Sequence, residues 1–505
     1  MTQTDVPARA TTRFGGGSTP RVIIAGAGLG GIAQAVYLLQ HGIETFEIFE
    51  RAEGPGGVWW WNRYPGAAVD IPSLLYSYTF HNILWKRTHA TQAEIQQYVE
   101  DVIDKFGFRD RITFGVGVER AVWDESRHGY DVTTSDGKVH EADVFVSAIG
   151  MFTEPNPITI GGTDEFEGEL VHSARWPDGL DLAGKRVAVV GAGASAAQLV
   201  PTLAETAEHL ISFQREPNWV SPKGDHDLDE EELARFSSLE ERLKERAKLL
   251  EGVDAGLGVG AEPEGEVALA RKATNVEYLQ EVFKERPEFV DLLTPNYPLR
   301  CKRAVQSSAF LPALLRPNVE FVPRGVVSLT RDGIVDTDGV ERKVDAVVLA
   351  TGFQTTNFLA TIEVVGRDGR EIHDVWNEGD GPEAFLGMTV PGFPNFFMLY
   401  GPNTHGTVVS FVLEVQAEYI AKELERLVRE GATAVEVRKD VFDDYQRQLQ
   451  EGISKVVAWQ GGCHNYYLTE SGKNVVQWPW SHPDFQRWAE QERERASELS
   501  SLDAA

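Results

Sequence analysis

Cysteine is almost absent: the chain of 505 residues holds two, Cys301 and Cys463. Two thiols cannot build a disulfide framework, so a reducing compartment, the cytoplasm, is the expected location. Neither belongs to a C-x-x-C pair, so no redox dithiol motif is present. Positive charge is in deficit. Lys plus Arg number 48 against 77 Asp plus Glu, a formal charge of -29. That balance excludes docking on nucleic acid or on an anionic membrane through bulk charge. Long apolar runs are also missing. The longest, Val22 to Leu39, is broken by glycines and opens on β-branched residues, so no membrane span is expected. What is present is ordinary globular composition, 42 % hydrophobic and 25 % charged. At this length it suits two or three domains, each with its own core.

Two segments of the chain resemble each other. Arg21-Val-Ile-Ile-Ala-Gly26-Ala-Gly28-Leu-Gly-Gly31 and Arg186-Val-Ala-Val-Val-Gly191-Ala-Gly193-Ala-Ser195-Ala196 are each a short apolar strand, a Gly-rich turn and the start of an Ala/Leu-rich helix. This is the dinucleotide fingerprint. Its first glycine makes the turn and its second lets backbone approach a pyrophosphate. The third position, Gly31 or Ala196, lets helix and strand pack closely. Phosphate then rests on the helix N-terminus. The halves differ at the end of the next strand. Glu50 closes the first, where a carboxylate can hydrogen-bond a ribose diol and would repel a 2′-phosphate. Arg215 holds the matching place in the second, where a cation accommodates that phosphate. The first site is therefore expected to take a dinucleotide without a 2′-phosphate, and the second NADP.

The expected fold is α/β, with two Rossmann-like dinucleotide-binding domains, the second inserted in the first. Residues 1–19 read as a flexible tail and 20–150 as the first part of the first dinucleotide-binding domain. The NADP-binding domain covers 151–224 and 296–385. Residues 225–295, acidic and helical with a Gly-rich centre at 252–265, form a helical subdomain. Residues 386–505 return to the first domain, and the last fifteen look frayed. Residues 142–150 and 344–352 read as the closing strands of the two halves, and a strand starting at Arg111 is expected to end at Val118.

Two further motifs carry a family resemblance. Gly57-Val58-Trp59 opens a stretch reading G-x-W-x-x-x-x-Y-P-G-x-x-x-D, which closes on Asp70. Phe166 to Pro177 reads F-x-G-x-x-x-H-x-x-x-W-P. Together they resemble the type I Baeyer–Villiger monooxygenases, over residues 20 to about 485. The resemblance implies bound FAD, reversible NADPH, and insertion of one oxygen atom of O2 beside a ketone carbonyl to give an ester or lactone. It implies a C4a-peroxyflavin formed after NADPH has reduced FAD.

The same resemblance implies the site residues. Arg303, at the end of Tyr297-Pro-Leu-Arg-Cys-Lys302-Arg303, is the expected catalytic cation, since a guanidinium stays charged and can support an anionic oxidant. Asp70 is expected to orient it. Trp59 and Tyr76 are expected beside the flavin, Val118 at the adenine and Val409 near the isoalloxazine. Lys302 joins Arg215 at the 2′-phosphate. His172 is expected to link domains and not to act in catalysis. Three departures concern the pocket. Met151-Phe152 replace a usual Gln-Leu, Tyr466 replaces a usual Trp over the nicotinamide end of NADP, and the loop after Asn403 is shorter. The ketone is expected to be hydrophobic and the oligomer a monomer or homodimer.

The closest alternative is an N- or S-hydroxylating flavin monooxygenase, which does not need Arg303 at the oxidant. A disulfide reductase would need a C-x-x-C pair. A flavoprotein retained only as a sensor or scaffold is opposed by Asp70, Arg303 and both nucleotide motifs.

Overall fold

The structure, a computed structural model, describes residues 19–257, 262, 265–460, 462–463 and 465–502. The tail expected at 1–19 lies, except for Thr19, outside the described residues, as does part of the Gly-rich centre of the insert.

Two parallel five-stranded sheets carry the repeat. In the first, Val22–Ala25 lies between Phe46–Glu50 and Val144–Ser147, with Ile112–Phe114 and Phe396–Met398 at the edges. In the second, Arg186–Val190 lies between His209–Phe213 and Ala346–Leu349, with Val319–Val322 and Glu169–His172 outside. Both orders place the glycine-turn strand centrally. A parallel sheet is covered on both faces, so its strands are apolar throughout. Val22–Ala25 and Ala346–Leu349 are accordingly buried at every residue, and each Val, Ile or Leu so buried contributes about 1.5–3 kcal/mol.

The turns explain the glycines. Gly26 has φ +102° and Gly191 φ +143°, conformations that favour glycine. A Cβ on Gly31 would meet the Gly26 carbonyl oxygen at 2.0 Å. That contact is how the helix Leu29–Gln40 lies flush on its strand.

The helical insert comprises Glu230–Phe236, Leu239–Leu257, Glu266–Val282 and Glu288–Leu293. The first begins at a capping box, Asp229 accepting from the Glu232 N–H and Glu232 from that of Asp229. Arg246 docks the insert on the first domain. Its side chain is buried, donates to the carbonyls of Leu75 (3.2 Å) and Ser77 (2.8 Å), and lies 3.7 Å from Glu414.

Three expectations are corrected, and one feature was not foreseen. The chain has returned to the first domain before residue 386: Glu363–Val365 pairs with Val118–Asp124 in a four-stranded sheet, and Phe358, Trp376 and Phe385 belong to the first core. Val118 begins a strand and does not end one; Ile112–Phe114 is separate. The C-terminal residues are ordered through Ser500, because Ser497–Ser500 pairs antiparallel with Ala434–Val437. The two cysteines, far apart in sequence, are bonded: Cys301 and Cys463 form a disulfide across 162 residues, with Cα atoms 6.2 Å apart. Among the described residues, no helix is long and apolar enough to cross a membrane.

Candidate active site

A cavity of about 930 Å³ runs between the two nucleotide folds. The first glycine turn forms its floor. Gly28 begins the helix Leu29–Gln40 without a side-chain cap, so that the helix's first N–H groups are left for an acceptor. Gly57 packs its Cα 3.3 Å from the position a Gly28 Cβ would take, leaving a bare backbone cradle. Glu50 closes the neighbouring strand, buried, with one carboxylate oxygen accepting from the Ala27 N–H (2.7 Å) and the other from the Ala52 N–H (2.8 Å). Burial raises its pKa and those two donors oppose the rise. An uncapped helix start, a side-chain-free cradle and a carboxylate at the strand end fit an FAD dinucleotide.

Beyond the turn the wall is aromatic. Val58 and Trp59 line it, and the Trp59 indole N–H donates to the Tyr76 hydroxyl at 2.9 Å. Burial pushes the Tyr76 phenol up to about 12, so it stays protonated. Val118 and Val409 line the same cavity, the latter at the start of the helix Val409–Glu430. The sequence expectation for these residues was contact with FAD, and the structure brings them to one cavity.

Asp70 and Arg303, 233 residues apart, meet here. One Arg303 Nη donates to both Asp70 oxygens, at 2.8 and 2.6 Å. The Arg303 side chain is 43 % exposed, and since it lines the cavity that exposure faces the cavity space. The Asp70 carboxylate makes the Arg303 guanidinium hold its proton more firmly than an ordinary one, burial opposes this, and Tyr466, Tyr400 and Tyr467 also face the charge. A permanent cation thus projects into an aromatic chamber.

The second glycine turn sits across the cavity. Gly193 starts the helix Ala194–Leu203, again without a side-chain cap, with Ser195 in its first turn. Gln198 of that helix accepts from the Tyr64 hydroxyl (2.8 Å) and donates to the Ala68 carbonyl (2.9 Å), tying the tryptophan-rich motif to the second domain. Arg215 follows the strand His209–Phe213, is exposed, and has no carboxylate partner among the described residues. Lys302 is ion-paired with the adjacent Glu216. An exposed Arg215 at the strand end, with Lys302 held by the next residue in the chain, Glu216, fits a nucleotide carrying a 2′-phosphate. His172 ends an edge strand of this second sheet; its Nδ1 accepts from the Ala174 N–H and its Nε2 lies 3.3 Å from the Thr351 hydroxyl.

Tyr466 was expected over the nicotinamide end of NADP. Tyr467, and not Tyr466, lines the cavity. Tyr466 packs edge-on against it, ring centroids 4.6 Å apart, with its hydroxyl toward Arg303 and its carbonyl accepting from the Thr355 hydroxyl at 2.6 Å. Tyr400, His405 and Trp459 also line the cavity, though no motif marks them in the sequence. Neither cysteine does.

A family profile described as Pyridine nucleotide-disulphide oxidoreductase matches residues 23–248. Two nucleotide folds facing one cavity, with a guanidinium on its wall, are the arrangement of a flavin-dependent monooxygenase that uses FAD and NADPH, the class to which its relatives belong. The chain belongs to the Baeyer–Villiger monooxygenases. It is 38 % identical over 478 residues to the Baeyer-Villiger monooxygenase of Streptomyces coelicolor, covering 92 % of this chain and 90 % of that one. Among solved structures it resembles the oxidized steroid monooxygenase bound to NADP, with 31 % identity, a TM-score of 0.85, and coverage of 96 % of this chain and 100 % of that one. The cyclohexanone monooxygenase from Rhodococcus sp. Phi1 bound to NADP+ matches at 29 % identity, TM-score 0.85, with the same coverage.

Proposed function

We propose that the protein inserts one oxygen atom of O2 beside the carbonyl of a hydrophobic ketone. Ketone, O2, NADPH and a proton become ester or lactone, NADP+ and water. Asp70 paired with Arg303 inside the cavity is the observation that carries this. FAD, when bound, supplies the two-electron chemistry between NADPH and O2. The chain's residues do the rest. Gly28, Gly57 and Glu50 would seat FAD, while Gly191, Gly193, Ser195, Arg215 and Lys302 would seat NADP. Arg303 places a positive charge where the oxidant and the substrate oxygen gather negative charge. Asp70 fixes its direction, and the aromatic wall keeps water out.

The related cyclohexanone and steroid monooxygenases support a ketone over the N- or S-hydroxylating alternative. The test is the Arg303→Ala holoenzyme against a panel of cyclic, aryl and linear ketones, with a thioether alongside. FAD content and NADPH consumption should persist, while ester formation falls by about 100-fold or more. Full ester yield from this variant, or oxygenation of the thioether alone by the parent, would reject the proposal.

A further inference from the structure

His405 sits at the tip of a loop that the fold holds in an unusual conformation. Tyr400 and Asn403 both have φ +56° without being glycine. Strained backbone of this kind persists only where its surroundings over-determine it. Here they do. Gln416 accepts from the Tyr400 N–H at 2.8 Å, and the Asn403 amide donates to the carbonyls of Asn474 (3.0 Å) and Gln477 (3.1 Å). His405 itself donates its N–H to Val476 and accepts from that of Trp478. The outcome is a buried imidazole, 4 % exposed, aimed at the chamber of Arg303.

Both ring nitrogens are engaged. Nδ1 lies 2.9 Å from the Tyr400 hydroxyl and Nε2 lies 3.4 Å from the Tyr466 hydroxyl. These phenols are two of the three that face the Arg303 charge. Phe152 packs edge-on against the ring at 5.9 Å. So Phe152 and Tyr466, which the sequence marks as departures, converge on the same side chain. Burial, with the Arg303 cation, pushes the imidazole down to about 3, and it stays neutral at working pH. A neutral imidazole has one donor and one acceptor nitrogen. One phenol must therefore donate to it and the other accept from it, which gives the two hydroxyls beside Arg303 opposite and fixed directions.

We propose that His405 is a positioning residue for the oxygenation, holding the Tyr466 and Tyr400 hydroxyls in place around Arg303 so that the chamber stays closed to water. Members of one hydrogen-bonded network act as a unit. This rests on the monooxygenase reading for its purpose, but it can be read without any ketone.

The test is a double-mutant cycle in the FAD-loaded protein. NADPH-dependent release of H2O2 is measured without substrate, together with melting temperature, FAD content and the NADP+-induced shift in melting temperature. Tyr466→Phe removes one oxygen atom and His405→Leu removes both polar contacts. Each should raise H2O2 release by roughly 3- to 100-fold, the span of coupling within one network, and the double variant should leak no more than the worse single one. Tyr466→Phe should keep the parent's melting temperature and FAD content. His405→Gln, whose amide reaches the place of Nε2, should restore most of the tightness; His405→Asn, which reaches only the place of Nδ1, should not. Additive effects, a Tyr466→Phe variant as tight as the parent, or equal leakage from Gln and Asn would overturn the proposal. Failure of the parent to oxygenate any ketone would instead overturn the substrate reading and leave this cycle readable.

Discussion

A buried histidine faced by a guanidinium resists protonation, and that resistance ties stability to pH. His405 is held down to about 3 by burial and by Arg303. His89, 8 % exposed, is held down to about 4 by burial and by Lys223. In the unfolded chain each titrates near about 6.5. Between those values the unfolded state binds protons that the folded state refuses. The stability from each ring is therefore full above about pH 6.5 and falls as pH drops, by about 1.4 kcal/mol per pH unit per group. Melting temperature should fall steadily from pH 7 to 4.5, and His405→Gln should make that slope shallower by one proton's worth. A variant with the parent's slope would show that His405 is not buried neutral. Glu50, Asp70 and Arg303 were legible in the sequence because each occupies a fixed place in a motif. His405 was not, because its partners come from segments around residues 152, 400 and 466 that no local spacing connects.

At the scale of elements, the helical insert is held by charge placed where charge is costly. Arg246 and Glu414 have side chains 8 % and 7 % exposed, and burial disfavours the ionised form of both. Glu414 also accepts from the Thr79 N–H (2.8 Å) and hydroxyl (2.6 Å). Removing one member of such a set leaves the other charge uncompensated. Arg246→Met should destabilise the docked insert by about 3–5 kcal/mol, and Arg246→Met with Glu414→Gln should cost less than the single change. Limited proteolysis within residues 225–295, followed against urea, reads both. If the double variant is the weaker one, Arg246 acts through its carbonyl contacts and not through Glu414. The insert's helical character was legible from its charge-rich periodicity. Its docking was not, since the partner lies some 170 residues onward, in a helix that reads as part of another domain. The early return at Glu363–Val365 was hidden for a similar reason: three residues are too few for an alternating pattern to register.

For the whole molecule, the repeated strand–turn–helix pattern was enough to foretell two nucleotide folds, because each half repeats the same local rules. Pairing between cysteines obeys no local rule, and the disulfide went unforeseen. It joins the segment carrying Arg303 to the segment carrying Tyr466: Cys301 is two residues before the guanidinium and Cys463 three before the tyrosine. Cys301 is buried with Trp219 and Tyr297, and Cys463 packs against that cluster. A bridge across 162 residues removes much of the unfolded chain's freedom, a contribution of about 2–5 kcal/mol. Reducing the FAD-loaded protein with dithiothreitol should therefore lower its melting temperature, and Cys463→Ser should match the reduced parent and lose its response to reductant. FAD should remain bound in both, because neither cysteine lines the cavity and the glycine turn, Gly57 and Glu50 lie in the other domain. Intact mass under non-reducing conditions reports the bridge directly. If the thiols are confirmed free after reduction and the melting temperature has not moved, packing around Trp219 holds the two segments together and the bridge is incidental to their closure.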